Sequence, residues 1–180
     1  AAHPRAPAWL GAVSFAESSF FPLPPDVLLA PMTLSRPDRG WYFAALTTLT
    51  SVLGGLLGYL IGALLYKAVA APLLAFYGAQ AEYQQVVDWF GAYGGWAVFL
   101  AGLTPVPYKV FTIGAGSLAM PLLPFVLASF AGRGLRFFVI AGVIRLGGER
   151  LYHQVERWSP ALFWLGVAGL AGLVAYSLLG

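Results

Sequence analysis

Phe20-Phe21-Pro22-Leu23-Pro24-Pro25-Asp26-Val27 interrupts one apolar stretch, and Pro105-Val106-Pro107-Tyr108-Lys109-Val110 interrupts another. At an offset of 83 residues Pro22 aligns with Pro105, Pro24 with Pro107, and Asp26 with Lys109. Proline inside a helix removes a hydrogen bond and clashes with the preceding turn, so Pro22, Pro24 and Pro25, like Pro105 and Pro107, mark real breaks. Broken backbone is tolerated in lipid only where protein or water shields it. Proline-interrupted hydrophobic segments in corresponding halves of a chain point to a midplane binding site in a membrane transporter.

Working outward, the composition agrees. Of 180 residues, 59% are hydrophobic and 9% charged, against roughly 25% charged in soluble domains. So few charges cannot cover a soluble surface, and one integral membrane domain over 1–180 is expected. With no cysteine there is no disulfide, thiolate metal site or cysteine nucleophile. His3 and His153 have no metal-ligand spacing, so neither a metal nor a cofactor is implied. The net charge of +3 fits Arg-rich membrane loops rather than nucleic-acid binding. The start of the chain lacks a signal-peptide pattern. It begins with Ala, which leaves room for residues upstream.

The expected organisation is all-α and polytopic. A first repeat covers about 8–66, a connector 67–92, a second repeat about 93–146, and a final helix 158–180. Residues 8–34 and 93–120 read as re-entrant helical hairpins, and 41–66 and 121–145 as spans. Gly54, Gly58 and Gly62 recur every four residues on one face, a small-residue pattern for close helix packing. That face would serve a homo-oligomer or intramolecular packing equally well. In 67–92, Tyr83, Val86, Val87 and Phe90 alternate with Glu82, Gln85 and Asp88, which predicts an amphipathic helix at the interface.

Re-entrant hairpins put Arg5, Arg36, Arg39, Arg145, Arg150 and Arg157 on one side and Lys67 alone among basic residues on the other. If both broken regions spanned instead, Arg36 and Arg39 would change sides and the asymmetry would weaken. The positive-inside rule therefore favours two hairpins entering from opposite faces, as an inverted repeat requires.

Glu17, Asp26, Lys109, Arg133 and Arg136 fall inside apolar regions. Each costs about 2.5–3.5 kcal/mol at the bilayer centre, so they must pair, face water or bind a ligand. Arg133 and Arg136 share a helix face with Ser129, and arginine's planar fork suits phosphate or carboxylate. The net positive balance would hold an anionic head group, and a carboxyl in a low-dielectric site could carry a proton. A bland reading stands beside this one. Glu17 and Asp26 would simply neutralise the cations, Asp26 would cap a helix, and Lys109 would snorkel to an interface.

Phe15-Ala-Glu-Ser-Ser-Phe-Phe-Pro-Leu-Pro-Pro-Asp26, Ser51-Val-Leu-Gly-Gly-Leu-Leu-Gly-Tyr59, Gly102-Leu-Thr-Pro-Val-Pro-Tyr-Lys-Val-Phe-Thr-Ile-Gly-Ala-Gly116 and Ser129-Phe-Ala-Gly-Arg-Gly-Leu-Arg-Phe-Phe138 together resemble the YqaA-like branch of the DedA/VTT membrane proteins. The resemblance covers roughly 9–148. It implies two opposed re-entrant hairpins in a bacterial inner membrane. It also implies movement of undecaprenyl phosphate or a phospholipid, with dependence on proton motive force. Family acidic residues of the first hairpin match Glu17 and Asp26. The chain departs in spacing between them. In the second hairpin Gly102 stands for one family arginine, and Lys109, shifted by one, approximates the other. Arg133 and Arg136 are the alternative source of phosphate-binding charge.

The function expected is a flippase or scramblase for an anionic lipid, proton-coupled or not. The alternatives are a proton-coupled carrier of a small soluble ion and a non-transporting scaffold. An intramembrane enzyme is disfavoured, because no histidine or cysteine lies in the spans and a serine without a nearby base is a poor nucleophile.

Overall fold

The 26 uncharged residues from Gly40 to Leu65 form the central helix, and its two faces explain its neighbours. One face carries Thr47, Thr48, Ser51, Gly54, Gly55, Gly58 and Gly62, all buried. The other carries Leu49, Leu53, Leu60 and Leu64, each more than half exposed. Small and polar groups inside with leucines outside is the arrangement expected when the solvent is lipid.

A computed structural model describes residues 5–19, 25–78, 80–104, 107–147 and 168. Its helices are α1 (Ala6–Ser19), α2 (Asp26–Ser35), α3 (Gly40–Leu65), α4 (Ala71–Tyr77), α5 (Gln80–Leu103), α6 (Tyr108–Ser117) and α7 (Leu122–Gly147). Among the described residues every regular element is helical. Three stretches are long and apolar enough to cross a membrane: Pro37–Phe76, Tyr83–Leu103 and Leu122–Gly147.

The contacts fix the direction of each helix against α3. Gly11 meets Leu46 and Thr50, while Gly54 meets Phe15, so α1 runs parallel to the first half of α3. Gly55 meets Tyr108 and Gly62 meets Ile113, so α6 runs parallel to the second half. In α7, Arg133 meets Ser51, and Trp41 packs against Gly142 and stacks on Phe138 at 5.7 Å, so α7 runs antiparallel. Gly91 and Gly95 line one cavity with Pro121 and Pro124, and Gly102 meets Arg133, so α5 runs with α7 and ends level with its middle.

Hydroxyls bind these apolar helices together. Ser14 donates to the Thr47 carbonyl at 2.8 Å, Ser19 to Gly54 at 3.0 Å and Ser117 to Gly62 at 3.0 Å. Tyr59 donates to the Met120 carbonyl at 2.6 Å, and Tyr83 to Ser117 at 2.6 Å. Two apolar clusters flank the glycine face. Leu10, Leu29, Phe43, Phe137 and Ala141 pack at one end. Phe90, Val98, Tyr108, Met120 and Phe125 pack at the other.

The polar stretch 67–92 is not one helix. Its first part continues α3 through a π-helical turn at Tyr66–Ala70 and then α4. Gly78, at φ +69°, makes the reversal. The rest belongs to α5, which passes the expected boundary at 92/93 without a break because nothing at Gly91, Gly94 or Gly95 stops a helix. Pro22, Pro24 and Pro105 lie outside the described residues, as does the final helix expected over 158–180 apart from Ala168. Pro25 and Pro107 precede the first residues of α2 and α6.

Candidate functional site

Ser51 is the twelfth residue of α3 and Arg133 the twelfth of α7. Each helix is about 39 Å long at 1.5 Å per residue, so both side chains start near mid-length, the most costly depth for a charge. At the same level Gly134 faces Thr48 of α3, and Gly102 and Gly132 let α5 and α7 touch backbone to backbone.

Arg133 is 4% exposed and bonded through both Nε and Nη2. Its Nε donates to Ser51 Oγ at 2.6 Å, and Nη2 donates to Glu17 Oε2 at 2.6 Å and to Ser18 Oγ at 3.3 Å. Ser18 also bonds Ser51 at 2.7 Å and Glu17 at 3.0 Å, closing a network of four side chains from α1, α3 and α7. The Tyr108 and Phe137 rings lie against the guanidinium, with centroids at 4.9 and 4.8 Å. Such contact compensates a desolvated cation.

One turn along α7, Arg136 Nη2 donates to Asp26 Oδ2 at 2.5 Å. Both side chains are 18% exposed. Arg136 Nε and Asp26 Oδ1 are buried with no hydrogen-bond partner among the described residues. Asp26 is the first residue of α2 and Pro25 holds the N-cap position, so the capping role considered for Asp26 is not the one seen. Its carboxylate crosses to α7 instead.

Thus Glu17, Asp26, Arg133 and Arg136 come together as two ion pairs rather than as one pooled charge. The two arginines share a face of α7 but point their guanidinium groups at different carboxylates. Lys109 stands at the start of α6, half-buried, and makes no salt bridge among the described residues. Ser129 is fully buried, with its hydroxyl facing Tyr108 and neither group in a well-formed hydrogen bond among the described residues. Gly54 faces α1, Gly62 faces α6, and Gly58 touches both through Ser18 and Thr112. That face is therefore filled from within the chain. Among the described residues no group of three or more His, Cys, Asp or Glu side chains could hold a metal ion.

Sequence reasoning did not single out Ser18, Ser51, Tyr108 or Phe137 as partners of Arg133. The signal for Ser51 was present: it extends the Gly54/Gly58/Gly62 face by one turn toward the N-terminus. For Tyr108 and Phe137 there was none, because ring stacking depends on how α6 meets α7.

Apolar helices turned outward around a mid-depth charge network define an integral membrane protein whose polar centre is internal. A family model for the VTT domain matches residues 23–146, and the chain belongs to this family, also called DedA. It is 39% identical over 171 residues to an uncharacterized protein of Haemophilus influenzae, covering 95% of this chain and 88% of that one. It is 35% identical over 177 residues to an uncharacterized protein of Histophilus somni, covering 98% and 91%. No solved structure matches the chain significantly.

Proposed function

We propose that this protein moves an anionic lipid between the leaflets of a bacterial inner membrane, without covalent chemistry. The observation that carries the reading is the pair of arginine–carboxylate contacts at mid-length of the long helices. Charge at that depth is costly and marks substrate or proton pathways by default. Arg136, Asp26 and Glu17 keep 15–18% of their side chains exposed, so the network reaches the protein surface. Undecaprenyl phosphate and phospholipids carry head groups of the right charge, and a network of ionisable groups at this depth is where coupling to a proton gradient would act.

The same reading takes the two broken segments as re-entrant hairpins of an inverted repeat. Three features support it. First, α2 and α6 both have 10 residues, and α3 and α7 both have 26. Second, α2 and α6 start 82 residues apart, as do α3 and α7. Third, α1 and α6 lie along successive halves of α3, and α5 stops at mid-length of α7. With the chain inserted this way, Arg5, Arg36, Arg39 and Arg145 gather at one end, which the positive-inside rule puts in the cytoplasm. Assignment to the YqaA-like branch rests on the sequence motifs alone.

The test is translocation by purified protein in liposomes, with labelled undecaprenyl phosphate and a labelled phospholipid, with and without a pH gradient. Wild type should move one of them. Arg136→Gln should lower the rate at least tenfold. If folded wild type moves neither lipid under any gradient, the lipid reading is wrong, and the small-ion carrier or the scaffold replaces it.

A further inference from the structure

The two ion pairs are chemically unequal. Arg133 spends Nε on Ser51 and Nη2 on Glu17 and Ser18, and two aromatic rings lie against its guanidinium. Its Nε–Nη2 edge is filled, and an incoming oxyanion could take that edge only if the network that joins α1, α3 and α7 came apart. Arg136 makes one end-on contact, from Nη2 to a single oxygen of Asp26. Among the described residues its buried Nε–H has no acceptor, and the other, equally buried oxygen of Asp26 has no donor. A carboxylate and a guanidinium can share two parallel bonds, yet this pair uses one. A donor and an acceptor both left unsatisfied within a single ion pair make an unusually weak lock, since unmet buried polar groups are costly.

We propose that Asp26 is a displaceable internal counter-ion: it holds on Arg136 the place that the phosphate group of the substrate takes, while Arg133–Glu17 stays closed. This inference rests on the lipid reading above. A phosphate group presents oxygens at the spacing of Nε and Nη2, so it gains the bidentate contact that Asp26 does not make. Asp26 has somewhere to go. It is the first residue of α2, where the helix N-terminus favours a carboxylate, and it is already in partial contact with the surroundings. The exchange keeps one negative group on Arg136 at every stage, so the cation is never stranded at mid-depth. Four of the five charges in the apolar regions thus divide between two roles, with Arg133 and Glu17 holding the helices and Arg136 and Asp26 exchanging ligand.

Binding to purified protein in nanodiscs tests this, by calorimetric titration with dioctanoyl phosphatidic acid, dioctanoyl phosphatidylglycerol, uncharged dioctanoylglycerol and inorganic phosphate. Asp26→Asn should bind at least one phosphate-bearing probe at least tenfold more tightly than wild type, and Arg136→Gln should lose that binding. Asp38→Asn removes the same charge from an exposed turn and should leave the Kd within twofold. If Arg136→Gln loses binding but Asp26→Asn binds no more tightly than wild type, the counter-ion role is overturned and the lipid reading stands. Binding of inorganic phosphate but neither lipid would keep the exchange and overturn the lipid reading. If no probe binds, both fall. Should Asp26→Asn not fold, wild type labelled with 15N-arginine decides: the probe should shift the Arg136 Nε–H resonance and leave that of Arg133 in place. A shift at Arg133 instead, or at neither, overturns the proposal.

Discussion

At Gly62 the position a Cβ would take is 1.9 Å from the carbonyl oxygen of Ile113, which is backbone and cannot swing aside. At Gly95 nothing lies within 4 Å of that position. Gly62→Ala should therefore force α6 away from α3 and cost about 1–3 kcal/mol, as overpacking does. Gly95→Ala should be neutral or stabilise by up to about 1 kcal/mol through helix propensity. Thermal melts followed by helical circular dichroism in detergent check both, and equal effects would mean that the glycine face is not tightly packed. The spacing of Gly54, Gly58 and Gly62 was legible because a four-residue period is a property of one helix. Which neighbour fills the face was not legible, since it depends on two helices far away in sequence. The end of α6 was equally opaque: Ala119 takes the left-handed conformation, φ 52°, where glycine would be the ordinary signal.

Between elements, the Arg133–Glu17 contact ties α7 to α1, and Ser51 adds α3. Glu17→Gln leaves a nearly buried guanidinium without its counter-charge. Removing one partner of a buried pair costs about 3–5 kcal/mol. Glu17→Gln alone should fall in that range, and Glu17→Gln with Arg133→Met should recover much of the loss. Denaturation of the two variants in parallel measures this. A double variant no better than the single one would show that Arg133 contributes mainly through its rings and Ser51. The presence of charges in apolar stretches could be read from composition and position. Their pairing could not, because it is set by the register of α1 and α2 against α7. The polar run 67–92 misled for a related reason: polarity marked where the chain leaves the apolar layer, and a π-helical turn with Gly78 marked where it bends.

For the whole molecule, the topology is open to direct measurement because the chain has no native cysteine. Ala8 and Ser35 are exposed at the outer ends of α1 and α2, and Ala81 and Leu122 are exposed near the starts of α5 and α7. With re-entrant hairpins, single cysteines at Ala8 and Ser35 should react with an impermeant maleimide from one face, and cysteines at Ala81 and Leu122 from the other. Reaction of Ala8→Cys and Ser35→Cys from opposite faces would mean that the first broken segment spans. The two long helices that follow the proline-broken segments, expected over 41–66 and 121–145, were visible in the sequence, whereas the continuity of α5 through Gly91, Gly94 and Gly95 was not. One further consequence follows from the crossing of α3 and α7. Ser51 and Arg133 hold the same rank in two helices of equal length that run in opposite directions and touch there. Two identical chains joined in that way would set the position against its own copy. Arginine would then face arginine, or serine would face serine with no cation for Glu17. A single polypeptide holding both halves escapes this constraint, because each half can change alone. It can place a cation on one side of the crossing and a hydroxyl on the other, an asymmetry closed to any self-paired assembly.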